Sequence, residues 1–574
     1  MLGASTCAWT LLYYTDMEQI RAAIRAAIQQ LFDVELPAEL SRTQEQFGDY
    51  ATNVAMQLSG RLGKPPREVA ETLATHLRQT LTDTVQEVSV AGPGFINLKV
   101  ADAVLAADAQ AAPSQKASLF ASQNVVTEYS DPNPFKVLHA GHLYTSIVGD
   151  AVSNLIAAAG GNVHRVNFGG DVGLHVGKTM WAILQLLGGE HPEKLRDIPE
   201  AQRSEWMARC YVTGTNAYED DSEAKEAIIS LNKRVYQIFA DNDHESPFAQ
   251  IYWTCRQWSY DYFDAFYARI GTHFEKYYPE SEVSDLGLQT VRSQLSKGVY
   301  QESDGAVVFD GEAYGLHTRV FINSHGLPTY EAKDVGLIMA KWRDYHFDRS
   351  VVITGNDISE YMKVVLKSIE QFEPELVHRT THFTHGNVKL QGGVKMSSRK
   401  GNILRATDVL DAANEANKAA TGREDEQAIL GAVKYALLRQ RIGADIIYDP
   451  AESVSLEGNS GPYLQYAHAR ARSILRKTGG AQPTSLTSFD PYERSLARKI
   501  TEYPEVITRA TTELMPHHVC TYLYELAQSF NRFYEHATVI GDPREPIRLQ
   551  LVRLYADILQ DGLAILGITA PDQV

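Results

Sequence analysis

Cysteine is scarce: four residues, Cys7, Cys210, Cys255 and Cys520, are spread over a chain of 574. They form no CxxC pair and no Cys/His set at ligand spacing. That argues against structural zinc and against a disulfide framework, and fits thiols kept reduced in a cytoplasmic setting. No apolar run approaches the roughly 20 residues needed to span a bilayer, so no membrane segment is expected. A basic excess is missing too. The formal charge of −17 excludes a general nucleic-acid binder, but not a protein that meets one defined RNA through local basic patches. Candidate patches are residues 395–405 (KMSSRKGNILR) and 470–477 (RARSILRK). The remaining composition, with 22% charged residues, is that of an ordinary globular protein. The length suggests about three or four domains.

Residues 1–16 have no basic start and make a poor signal peptide. They read as a disordered extension upstream of Met17, where an amphipathic helix begins. Residues 17–106 read as a small α+β domain, with helices over 17–32, 49–62 and 66–80 and strands over 85–90 and 95–100. The small, polar stretch 107–118 reads as a linker. Residues 123–424 alternate strands and helices, which predicts a Rossmann-like parallel sheet covered by helices, with ligands at the carboxyl ends of the strands. A run of charged and aromatic helical patterns over about 188–298 reads as a helical insertion, its aromatics as packing core. Residues 425–574 read as wholly helical, with a loop over 482–490.

The chemistry concentrates in two motifs. The β-rich run Asn124 to Tyr129 leads through the turn-forming Ser130-Asp131-Pro132-Asn133-Pro134 to His139-Ala140-Gly141-His142. A helical pattern follows from Leu143 to a Gly160-Gly161 stop. This order places the HAGH residues at a helix N-terminus, where free N–H groups and the helix dipole favour phosphate. His139 and His142, three apart, share a helical face and can donate to phosphate oxygens. Gly141 leaves room for an adenine ring. Downstream lies Lys395-Met396-Ser397-Ser398-Arg399-Lys400-Gly401, a basic loop suited to the same nucleotide.

HAGH with KMSSRKG resembles the HIGH and KMSKS signatures of class I aminoacyl-tRNA synthetases. An HxGH match alone would also suit small nucleotidyltransferases. The extended block 128–150 (EYSDPNPFKVLHAGHLYTSIVGD) resembles arginyl-tRNA synthetases in particular. So do residues 47–73 of the N-terminal domain and the terminal LGITAPD at Leu566 to Asp572, which is similar to LGI-x-APE. The resemblance covers nearly everything from Met17 onward and is weakest in the insertion.

The resemblance implies ATP-dependent activation of L-arginine and its transfer to the 3′ end of tRNA(Arg). Its substrates would be ATP with Mg2+, arginine and tRNA, and the protein would be a monomer. His139 and His142 would stabilise ATP and the transition state, with Gly141, Met396, Ser397 and Ser398 in the ATP site. The loop has Ser398 where the usual second lysine stands. Lys136, three residues before HAGH, is the matching cation in many family members, with Lys395, Arg399 and Lys400 in support. Positions matching Glu128 and Asp334 hold the guanidinium and α-amino groups. Tyr330 would line the pocket, and Asn133 and His139 would help place the substrate. A guanidinium suits planar anionic acceptors, and Tyr330 and Asp334, four apart, share a helical face. The glutamine often found in the segment matching 354–359 is missing, with Asn356 or Asp357 as substitutes.

For tRNA, Phe95 would stack on a splayed base and Asn97 would read its edge. Tyr463, Gln465, Tyr466, His468 and Arg470 resemble residues of the anticodon-binding face, although plain helix core would give Tyr463 and Tyr466 the same spacing. Two alternatives stay open: a class I synthetase for another amino acid, and a non-catalytic RNA-binding paralogue. The family usually needs tRNA for amino-acid activation, and the same is expected here.

Overall fold

The computed structural model describes residues 15–115, 117–391, 404–478 and 484–573. Lys395, Met396, Ser397, Ser398, Arg399 and Lys400 lie outside these, as does most of the stretch read as an N-terminal extension.

The helix Thr15–Phe32 buries Ile20, Ile24, Ala27 and Ile28, the i, i+4, i+7, i+8 stripe of an amphipathic helix. It packs with Val54–Leu62 and Pro66–Thr80 over an antiparallel sheet ordered Ser41–Arg42, Tyr50–Thr52, Phe95–Val100, Val85–Ala91. This unit has its own core. One expected helix begins later than the pattern suggested. Residues 50–52 form a strand, because Asp49 is captured by the neighbouring strand: its carboxylate accepts from the Val100 N–H at 2.8 Å, and its own N–H donates to the Leu98 carbonyl. The expected linker is also corrected. Asp102–Ala111 is a helix followed by a 3-10 turn, and its Leu105, Ala106 and Ala109 join the central core. Alanine-rich sequence has high helix propensity, and the apolar contact decides the matter.

The central domain is a five-stranded parallel sheet ordered Thr380–His385, Arg349–Gly355, Asn124–Glu128, Asn162–Gly169, Lys276–Pro279. From the middle strand Asn124–Glu128 the chain builds outward on one side. It then crosses to build on the other. The switch point therefore lies between Asn124–Glu128 and Arg349–Gly355, where such sheets bind ligands. The helix Ala140–Ala158 is buried on almost every side, and at Gly149 it sits against Tyr129, whose Cγ would lie 2.1 Å from an added Cβ.

The stretch read as a helical insertion contains Arg203–Asp220, Ser222–Ala240 and Pro247–Ile270, with Tyr252, Trp258, Phe263 and Phe266 buried as core. It is not helical throughout: Lys276–Pro279 re-enters the main sheet as its edge strand. A further departure concerns the C-terminal part. Ile446–Tyr448, a β-branched run, pairs in parallel with Val388–Leu390 before the helices Gly461–Lys477, Pro491–Ile500, Tyr503–Glu513, His517–His536 and Glu545–Ile565.

Candidate active site and RNA-docking faces

The turn leaving the central strand is strained. Ser130, Asp131 and Phe135 hold φ of 76°, 48° and 67°, a region costing non-glycine residues on the order of 1–3 kcal/mol each. Tertiary hydrogen bonds enforce it. The Asp131 carboxylate accepts from Phe168 N–H at 2.8 Å, and Asn133 Oδ1 accepts from Gly170 N–H at 2.9 Å. Phe135 N–H donates to Ser259 Oγ at 2.9 Å.

His139 is the N-cap of Ala140–Ala158. Its Nδ1 accepts from Gly141 N–H at 3.0 Å, and His142 Nδ1 accepts from His139 N–H at 3.1 Å. Histidines thus do the work of a reciprocal capping box. The rings stack with centroids 3.8 Å apart. At Gly141 an added Cβ would lie 2.8 Å from the His139 ring, so the stacked pair itself requires glycine there. The outer edge of His139 meets solvent, yet the cleft walls around it desolvate the imidazolium. With help from Lys136, they push its pKa down to about 4. His142 is pushed well down by desolvation, then by His139 and Lys136. Both rings are therefore neutral near pH 7. With each Nδ1 accepting, each hydrogen sits on Nε2 and is free to donate.

Lys136 Nζ lies 4.6 Å from the centre of the Tyr211 ring, on the helix Arg203–Asp220. The exit of the basic-loop segment is stitched to the same place: Ala140 N–H donates to Leu404 O at 2.8 Å, Ala406 N–H to Leu138 O at 3.0 Å, and Arg405 pairs with Glu205 at 3.4 Å.

A buried acidic cluster lies behind the carboxyl end of the central strand. Glu128, Asp131, Asp334 and Glu280 are balanced by Lys333 and Lys341. Asp334 is pushed up to about 8 by desolvation, against a hydrogen bond from Tyr361 and with the repulsion of Glu128 and Glu280. Asp131 is raised by desolvation and then Glu128, and Glu280 by desolvation. Glu128, expected to face ligand, is held by Lys341 in a pair whose side chains are 3% and 1% exposed. Lys333 pairs with Glu280 and lies 5.3 Å from the centre of the half-exposed Tyr330 ring. Lys136 is a shared charge neighbour of the cluster and the histidines, acting on Glu280 as well as on His139 and His142. Of the two candidates near the strand end, Asn356 donates to the Gly443 carbonyl at 3.0 Å, whereas Asp357 is the charge neighbour of His139 and His385.

Lys341 could have been found in the sequence, seven residues after Asp334 on one helical face. Tyr361, Lys333 and Glu280 carried no local signal.

Among the proposed RNA contacts, Phe95 is exposed and borders a cleft of about 580 Å³ with Arg21, Arg25 and Asn53, while Asn97 is buried on the same strand face. Tyr466 and Arg470 are exposed on Gly461–Lys477. The Tyr463 hydroxyl accepts from Asn531 at 2.8 Å, and Arg470 lies 4.4 Å from the Tyr534 ring centre. Gln465 and His468 do not belong to this face. Buried behind it, they bond the carbonyls of Thr569 and Pro571 at 2.9 and 2.8 Å. Nor is 470–477 a free basic patch, because Arg472 is paired with Asp557 and Arg476 donates to the Asp572 carbonyl. Among the described residues, no cluster of three or more His, Cys, Asp or Glu could hold a metal, and no helix is long and apolar enough to cross a membrane.

Comparison with known proteins adds three family matches: tRNA synthetases class I (R), catalytic domain, over residues 102–449; the DALR anticodon binding domain over 464–574; and the arginyl tRNA synthetase N terminal domain over 18–100. Relatives named arginine–tRNA ligase include those of Flavobacterium psychrophilum and Porphyromonas gingivalis W83, each 28% identical over 97% of this chain and covered over 99% and 100% of their own. Among solved structures, the Thermus thermophilus arginyl-tRNA synthetase is similar with a TM-score of 0.76 at 25% identity, over 97% of this chain and 100% of that one. The Plasmodium falciparum enzyme has the same TM-score at 20% identity, over 97% and 99%, and speaks for the fold.

Proposed function

Because the chain belongs to the class I tRNA synthetases, by the catalytic-domain match over residues 102–449, we propose that it is an arginine–tRNA ligase. The observation that carries the choice of arginine is the buried acidic cluster of Asp334, Glu128, Asp131 and Glu280, which shares Lys136 as a charge neighbour with the His139/His142 pair. A planar cation is the ligand that such a cluster favours.

In the first step a carboxylate oxygen of arginine attacks the α-phosphorus of ATP and pyrophosphate leaves. In the second, a ribose hydroxyl at the tRNA 3′ end attacks the acyl carbon and AMP leaves. Charge builds on phosphate oxygens, so positioning and placed donors supply the catalysis. His139 and His142 donate from Nε2. Lys136 carries the charge of the lysine missing at Ser398, supported by Lys395, Arg399 and Lys400, while Met396, Ser397 and Ser398 complete the ATP site. Mg2+ arrives with ATP, held by phosphates and water. Asp334 receives the guanidinium. Glu128 acts from behind through Lys341, and Asn133 and Tyr330 align the substrate. Asp357 is the better candidate for the missing glutamine, because Asn356 is already engaged.

Phe95, with Asn97 beneath it, and the row Tyr463, Tyr466 and Arg470 are the tRNA contacts, stacking on unpaired bases and meeting phosphate. The domains are taken as 17–106, 123–424 and 425–574, and the enzyme works as a cytoplasmic monomer. The test is a filter assay of radiolabelled amino acids joining total tRNA. Charging with arginine, abolished by His142→Ala, is expected. Charging with another amino acid, or none, overturns the proposal.

A further inference from the structure

At the centre of the seam between the N-terminal domain and the C-terminal helices lies a buried guanidinium, Arg494. Arg494, on the helix Pro491–Ile500, is 9% exposed. Its Nη1 and Nη2 donate to the two oxygens of Asp49 at 3.1 and 2.8 Å. Nη2 also donates to the Val100 carbonyl at 2.8 Å, and Nε donates to Asp102 at 3.1 Å. Val100 ends the strand that Phe95 begins. Arg494 therefore grips one end of the strand that presents the exposed aromatic at the other. The neighbouring Arg498 donates to the Thr43 carbonyl, and Arg42 reaches back from the small domain to Glu505 and Thr501.

The same helix is also pinned on an adjacent face. Glu493, fully buried, accepts from Arg544 and Arg548 at 2.8 and 2.9 Å. The helix packs on His517–His536, whose Tyr522 hydroxyl donates to the Lys499 carbonyl at 3.0 Å. That helix supplies the Asn531 and Tyr534 that hold Tyr463 and Arg470. A continuous path thus runs from the Phe95 strand through the charge-assisted bonds of Arg494 and Glu493, and then through neutral hydrogen bonds and a cation–π contact, to the Tyr463 row. A bidentate guanidinium–carboxylate pair fixes direction as well as distance.

We infer that Arg494 is a positioning residue that holds the Phe95 face and the Tyr463–Tyr466–Arg470 face at a fixed separation, so that one tRNA engages both in a single event. The inference rests on the RNA-docking faces proposed above. Two contacts on a stiff frame bind as one, and the second adds its full strength because the frame has already brought it to the RNA. Loosening the frame forfeits that gain and leaves each face intact.

The experiment compares binding of full-length tRNA(Arg) with binding of the anticodon stem-loop excised from it. It uses the wild type, Arg494→Met, Asp102→Asn and Phe95→Ala, and the combinations with Phe95→Ala. Arg494→Met is expected to weaken full-length tRNA at least about tenfold, to change the stem-loop less than about twofold, and to remove most of the further loss caused by Phe95→Ala. Should Arg494→Met fail to fold, Asp102→Asn, whose side chain is 27% exposed, is read by the same criteria, with a smaller loss. Unchanged full-length affinity, an equal loss for the stem-loop, or a Phe95→Ala loss that is the same with and without Arg494 overturns the inference. A wild type that binds tRNA but is indifferent to Phe95→Ala overturns instead the reading of Phe95, and this inference with it. A wild type that binds no tRNA overturns the proposed function.

Discussion

His139 and His142 each use Nδ1 to accept a backbone N–H from their own helix turn, and their rings stack 3.8 Å apart. The cap therefore sets the tautomer. Nε2 of both rings carries the hydrogen, and the helix N-terminus presents two aimed donors instead of two bare N–H groups.

The pH dependence follows from desolvation. His139 titrates near 4 when folded against 6.5 ordinarily, so between those values the unfolded chain binds more protons and stability rises with pH. The contribution of this group is complete above about 6.5 and is lost as pH falls toward 4. Urea unfolding at pH 8 and pH 5 is expected to show a loss that shrinks in His139→Gln. NMR should find the ring neutral at pH 6.

Lys341 and Glu128 are a sealed pair. Lys341→Met leaves a buried carboxylate without its cation and is expected to cost about 3–5 kcal/mol in urea unfolding. The double variant Glu128→Gln/Lys341→Met should recover most of that stability while arginine binding stays weak. Weak binding persists because the sealed pair that backs Asp334 is gone, even though the net charge is unchanged.

Asp334, held near 8, is largely protonated at pH 7. A guanidinium stabilises its ionised form, so arginine binding should release a proton, and affinity should fall as pH drops below about 8. Calorimetry at pH 7 in buffers of different ionisation enthalpy measures this release. Asp334→Asn should abolish it.

Tyr211 holds the Lys136 ammonium over its ring at 4.6 Å. Tyr211→Leu is expected to raise the ATP KM about two- to fivefold, with arginine affinity unchanged, while Tyr211→Phe stays close to wild type. Steady-state kinetics at saturating tRNA separates the two.

The legible parts were those in which local pattern and tertiary packing agreed. The alternation of 124–187, the stop at Gly160-Gly161 and the strand Phe95–Val100 all stand where periodicity puts them. Misreadings arose where a distant partner overrode local preference. Tyr50–Thr52 became a strand because its neighbour Asp49 is bonded to the strand ending at Val100, and Lys276–Pro279 became a sheet edge because Asn162–Gly169 offered an open one. Gln465 and His468 looked like RNA readers by their place in a motif, but the chain's own residues 569–571 satisfy them.

The sequence by itself determined the order of elements and the two phosphate-directed motifs, because caps, turns and helical faces are set by residues a few positions apart. It also marked the carboxylates suited to a cationic substrate. Only the tertiary structure decided their partners, Lys341 for Glu128 and Tyr361 for Asp334. Glu128 and Lys341, or Arg494 and Asp49, lie far apart along the chain, and nothing short of the packed fold brings them within a hydrogen bond. Burial, which sets the protonation of Asp334 and of both histidines, is likewise a property of the whole assembly of layers and of no single segment.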